Sequence, residues 1–175
     1  MRLLVLGGIR SGKSAWAERQ LAGRAVTYVA TAAGRPGDPD WDQRIAAHQA
    51  RRPATWTTVE AAADLPAVLA AAAPGSAVLV DDVGNWLTGA LDRSGAWEHP
   101  AGAGAVQEAA AELVTAVENC PADLVLVSPE AGWSVVPATR AGRIFTDAQG
   151  SLNQRLAAAC TDVVLVVAGL PQRLK

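Results

Sequence analysis

Eight consecutive residues carry the most specific chemistry in the chain. Gly7-Gly8-Ile9-Arg10-Ser11-Gly12-Lys13-Ser14 fits the pattern of Gly, four residues, Gly, Lys and Ser/Thr without a mismatch. Glycines at these places let the backbone curl so that successive N–H groups point inward at a polyphosphate. A helix opening at the end of the loop adds its positive dipole end. Lys13 would reach the β- and γ-phosphates, and the Ser14 hydroxyl would complete a Mg²⁺ shell. Only Lys13 and Lys175 are lysines, so Lys13 stands out in an arginine-rich chain. A glycine-rich turn could match by chance. Against that, the apolar run Arg2-Leu3-Leu4-Val5-Leu6 stands immediately before the loop and a helix-forming segment, 15–21, follows it. Strand, loop and helix in that order predict a nucleoside triphosphate site.

Other side chains join this loop if the chain forms a parallel sheet. Apolar, β-branched runs at 25–31, 56–59, 77–80, 124–128 and 163–167 read as further strands. Between them, helical segments are expected at 40–51, 64–73, 85–91, 105–118 and 137–160. Pro53, Pro74 and Gly75 mark helix ends, Asp64 is a candidate cap, and 32–39 and 93–104 are Gly- and Pro-containing loops. Continuously apolar strands alternating with helices predict an α/β fold with helices on both faces of a mostly parallel sheet. Ligands of such sheets bind beyond the carboxyl ends of the strands. That rule gathers the phosphate loop, Thr31, Glu60, Asp81 and Glu130 at one rim, and the expected class is a P-loop NTPase.

Asp81 ends an apolar strand, the place of an acid that could hold Mg²⁺ through water. Asp82 is the competing choice, and either acid could instead cap the next helix. His48 lies on the expected helix four residues after Arg44 and close to Arg51 and Arg52. A surface histidine is one reading. The other is a nucleophile whose neutral imidazole attacks phosphorus, with the arginines lowering its pKa and binding phosphate oxygens. His99, on a Gly-rich stretch, reads as a loop residue.

A length of 175 residues suits one domain, 1–175, and half of the residues are hydrophobic. The net charge of −2 lacks the basic excess expected of a nucleic-acid binder. No apolar stretch approaches the ~20 residues of a membrane span, and the N-terminus is used by the first strand, with no signal sequence. Cys120 and Cys160 have no metal-ligand spacing and are expected to be reduced, as in a cytoplasmic protein.

The ordered set of motifs resembles the bifunctional adenosylcobinamide kinase / adenosylcobinamide-phosphate guanylyltransferase family of cobalamin biosynthesis. Nearly the whole chain takes part. The match runs from the loop at 7–14 through Tyr28-Val29-Ala30-Thr31-Ala32, Arg44-Ile45-Ala46-Ala47-His48, Arg52-Pro53, Trp56, Glu60 and Asp81. It continues in Glu130-Ala131-Gly132, Val136-Pro137, Arg140, Arg143, Phe145, Asp147, Gly150 and Asn153-Gln154. The resemblance implies a RecA-like P-loop domain that assembles as a homotrimer. It implies phosphorylation of adenosylcobinamide by a nucleoside triphosphate, with ATP or GTP as donor, and then transfer of GMP from GTP to the new phosphate. His48 would carry GMP covalently, with Lys13 as the other catalytic residue. Residues 7–14, Thr31, Ala32, Ala33, Arg51, Arg52, Glu60 and Asp81 would bind nucleotide, with Ser14 and Asp81 on Mg²⁺. The chain departs from the family pattern at three places. Pro129 stands where Asn is common, Asp82-Val83-Gly84 stands where Cys and then a hydroxyl residue follow the acid, and Thr146 stands where Arg is common. Two rival readings remain at this point: a P-loop kinase of another small metabolite, and a nucleotide-driven switch acting on a protein partner.

Overall fold

The computed structural model describes residues 1–32, 52–61, 63–133 and 135–175. The expected helix at 40–51 therefore lies outside the described residues, together with most of the loop before it. Strands β1 (Arg2–Gly7), β2 (Val26–Ala30), β3 (Thr57–Glu60), β4 (Ala77–Asp81), β5 (Asp123–Pro129), β6 (Asp162–Val167) and β7 (Leu170–Arg173) form one sheet in the order β3-β2-β4-β5-β1-β6-β7. All neighbours are parallel except β6 and β7. The helices are α1 (Lys13–Gln20), α2 (Leu65–Ala70), α3 (Val83–Ser94), α4 (Gly102–Asn119) and α5 (Arg140–Ala159).

Alternation along each strand sends side chains to opposite faces, and both faces are covered. Leu4, Leu6, Val78, Val80, Leu124, Leu126 and Leu165 pack against leucines and Trp86 from α2 to α5. Leu3, Val5, Leu79, Val125, Val127 and Val166 pack on the other face, where α1 contributes Ala17, Trp16 and the adjoining Leu21. This double burial is why the strands read as unbroken apolar runs. Among the described residues, no helix is long and apolar enough to cross a membrane. Cys120 and Cys160 are buried and free.

Several boundaries move from the expected ones for local reasons. The Asp82 side chain accepts the Asn85 N–H at 2.8 Å, so α3 begins at Val83 rather than near 85. It ends at Gly95, which has φ 64°. Asp64 occupies the cap position of α2, but its side chain makes no capping bond. Thr139 caps α5 by accepting the Gly142 N–H, which delays the helix to Arg140. β7 is an addition to the expected strands. Ala168 and Gly169 form a two-residue turn with φ 51° and 81°, and Leu-Pro-Gln-Arg pairs back on β6. Pro171 is tolerated because β7 is an edge strand.

Candidate active site

The parallel register brings the expected rim together. Ala30 pairs with both Glu60 and Asp81, while Gly7 pairs with Pro129. β5 lies between β1 and β4, so the loop after β1 and the acid ending β4 stand one strand apart. α1 closes that gap. Lys13 is its first residue, and the Ser14 hydroxyl donates to Asp81 Oδ1 at 3.2 Å. The two expected metal-binding residues are thus in direct contact, and both offer hard oxygen donors of the kind Mg²⁺ prefers.

The loop has the backbone shape its glycines require. Gly12 has φ 89° and Arg10 has φ 57°. Gly7 has no room for a side chain: an added Cβ would overlap Ser11 Oγ and come within 2.7 Å of the Val166 carbonyl. Lys13 Nζ reaches across the loop to the Gly8 carbonyl at 3.3 Å, and Ser11 N–H closes a turn on the same carbonyl. Ile9 and Arg10 point outward, and Ile9 is 87% exposed. Ser11 Oγ is buried without a hydrogen-bond partner.

Asp81 is held from a second side by a residue the sequence reading did not assign to the site. The Tyr28 hydroxyl donates to Asp81 Oδ2 at 2.8 Å. Burial, and then the Asp81 charge, push the Tyr28 hydroxyl far above the usual tyrosine range, so it stays a proton donor. Arg52 lies over the Tyr28 ring at 3.4 Å from its centroid and donates to Thr58 at 3.1 Å. The Trp56 ring is tilted against Tyr28, with ring centroids 6.4 Å apart. Tyr28 is the only tyrosine in the chain, but its pairing with Asp81 depends on β2 lying beside β4, which no local motif encodes.

The remaining expected residues fall as follows. Thr31 is buried and donates to the Asp82 carbonyl at 2.5 Å. Ala32 follows it, half-buried, and Glu60 is exposed at the end of β3. Asp82 caps α3, and burial first, then the Asp81 charge, push its carboxyl up to about 6. Glu130 directly follows β5, its N–H bonded to the Gly7 carbonyl at 3.0 Å. His48, Arg51 and Ala33 lie outside the described residues, as does Arg44.

Comparison with known proteins gives this rim a context. The family model for cobinamide kinase / cobinamide phosphate guanyltransferase matches residues 3–174. The chain belongs to this family. It is 43% identical to the bifunctional adenosylcobalamin biosynthesis protein CobP of Pseudomonas aeruginosa, covering 100% of this chain and 98% of that one. It is 39% and 37% identical to the bifunctional adenosylcobalamin biosynthesis proteins CobU of Salmonella typhimurium and Escherichia coli, each covered completely. The expected family and α/β P-loop class are borne out.

Within the family pattern, two departures prove to be neighbours. A Cβ added at Gly84 would lie 2.5 Å from Pro129 Cγ and 3.4 Å from Asp82 Oδ1. The ring of Pro129 therefore occupies space that any larger residue at 84 would need. Behind Pro129, buried Ser128, Gln149 and Asn153 share hydrogen bonds of 2.6–2.9 Å, and Asn153 Nδ2 donates to the Pro129 carbonyl at 3.0 Å. This network fixes the end of β5 to α5.

Proposed function

We propose that the chain, acting as one catalytic domain over residues 1–175, performs both reactions of its family. It phosphorylates the hydroxyl of adenosylcobinamide with a nucleoside triphosphate, GTP or ATP, and then transfers GMP from GTP to the new phosphate. The observation that carries this reading is the Ser14–Asp81 contact at 3.2 Å beside the glycine loop, in a chain matched by the family over residues 3–174.

The loop N–H groups and Lys13 bind the triphosphate and stabilise charge as it develops on the transferring group. Ser14 and Asp81 would hold Mg²⁺, which supplies further neutralisation of the phosphates when bound. Tyr28 keeps Asp81 aimed at that place by donating to its second oxygen. In the guanylyl step, a neutral nitrogen of His48 attacks the α-phosphorus of GTP. A P–N bond forms, the bond to the β-phosphate oxygen breaks, and pyrophosphate leaves. An oxygen of the corrinoid phosphate then attacks the same phosphorus, and the P–N bond breaks to return His48. By the family resemblance, Arg51 and Arg52 would supply positive charge for the phosphate carried by His48, and Thr31, Ala32, Ala33 and Glu60 would bind nucleotide. The family resemblance supports a homotrimer, and the two free buried cysteines suit a reducing, cytoplasmic setting.

Purified protein incubated with adenosylcobinamide, GTP and Mg²⁺ should yield the phosphate ester first and the GDP-linked corrinoid second, read by mass spectrometry. Lys13→Ala should abolish both products while remaining folded. Near-normal turnover by that variant would remove the loop from the reaction.

A further inference from the structure

The β6–β7 turn lies outside the motifs named above, yet it touches the phosphate loop closely. Gly169 N–H donates to the Ser11 carbonyl at 2.7 Å, one of the shortest backbone bonds between separate elements. A Cβ at Gly12 would lie 3.2 Å from Gly169 Cα and 3.5 Å from Gly169 N. At the other end of the loop, a Cβ at Gly7 would meet the Val166 carbonyl of β6 at 2.7 Å. Both motif glycines are therefore packed against the same hairpin, where a side chain would intrude. Their smallness serves this packing as well as the loop's own curvature.

The consequence for anion binding follows from peptide geometry. A trans peptide puts its C=O and N–H on opposite sides. Holding the Ser11 carbonyl toward the turn thus directs the Gly12 N–H away from it. A glycine-rich loop is otherwise free to rotate such a peptide, and ordering it on binding would cost affinity. We infer that the β6–β7 turn is a positioning element of the phosphate loop, in which Gly169 holds the Ser11–Gly12 peptide with its N–H ready for a phosphate oxygen. This rests on the reading of residues 7–14 as a triphosphate site. Gly169 acts through the loop and is not itself a catalytic residue.

Gly169 allows a clean test because a Cβ there would meet nothing within 4 Å. With no clash at Cβ, substitution chiefly changes how readily the residue holds φ 81°. Asn tolerates that region, Ala less well, and Val least. GTP binding with Mg²⁺ would be measured calorimetrically on the full chain for Gly169→Asn, Gly169→Ala and Gly169→Val, with melting temperatures taken without nucleotide. Leu170→Thr, one residue along the exposed edge, is the control. Affinity of the folded protein should stay near wild type for Asn and for the control. It should fall progressively through Ala to Val, by about tenfold for Val, the scale of the left-handed backbone penalty. If Val fails to fold, Asn against Ala decides the matter. Variants that melt earlier but bind GTP as wild type does would overturn the inference and leave the triphosphate reading intact. Wild-type protein that binds no GTP would overturn both.

Discussion

At the residue scale, the two adjacent acids do different work despite sharing a strand end. Asp81 is bonded to Ser14, at the end of the loop, and to Tyr28, whereas Asp82 is turned into the start of α3. Asp81→Asn should therefore reduce Mg²⁺-dependent turnover far more than Asp82→Asn, and a titration of rate against Mg²⁺ checks this. Greater damage from Asp82→Asn would shift the acid by one position. Stability should respond in the opposite way. Because the folded protein raises the Asp82 carboxyl to about 6, its contribution is full below the unfolded value and is lost as pH rises through about 6. Asparagine keeps an oxygen acceptor for the helix cap without the charge. In metal-free buffer, Asp82→Asn should thus melt higher than wild type at pH 8, by on the order of 1–3 kcal/mol, with the gap closing near pH 4. A variant less stable than wild type at pH 8 would show that the capping charge outweighs its desolvation.

At the element scale, what was legible in the sequence was local. The loop at 7–14 is contiguous, and doubly buried strands announce themselves as apolar runs, so β1, β2, β4, β5 and β6 were readable. β7 was not, because Ala168-Gly169 is a weaker turn signal than Asn-Gly, and Leu-Pro-Gln-Arg has neither alternation nor β-branching. Tyr28 was visible as a strand residue, but its role required the order of the strands. The meeting of Gly84 with Pro129 is equally non-local, and it makes a specific prediction. Gly84→Thr should destabilise the protein by about 1–3 kcal/mol through overpacking against the proline ring. Adding Pro129→Asn should recover much of that loss. Thermal denaturation of the two single variants and the double variant measures the coupling, and additive effects would contradict a shared cause.

At the scale of the whole molecule, one sheet rim brings together the ends of β1, β2, β3, β4 and β5. The loop, the Ser14–Asp81 pair and the Glu130 segment meet there because the strands between them are parallel and in register. In the proposed scheme this rim serves both phosphorylation and guanylylation, with His48 as the second phosphorus-handling group besides the loop. The measurement that bears most directly on this account is the intact mass of the protein after incubation with GTP and Mg²⁺ alone. The account predicts one added GMP per chain, lost in acid and retained in base as expected of a phosphoramidate, and absent from His48→Ala. Wild-type protein that transfers GMP to the corrinoid phosphate yet never carries the adduct would contradict it.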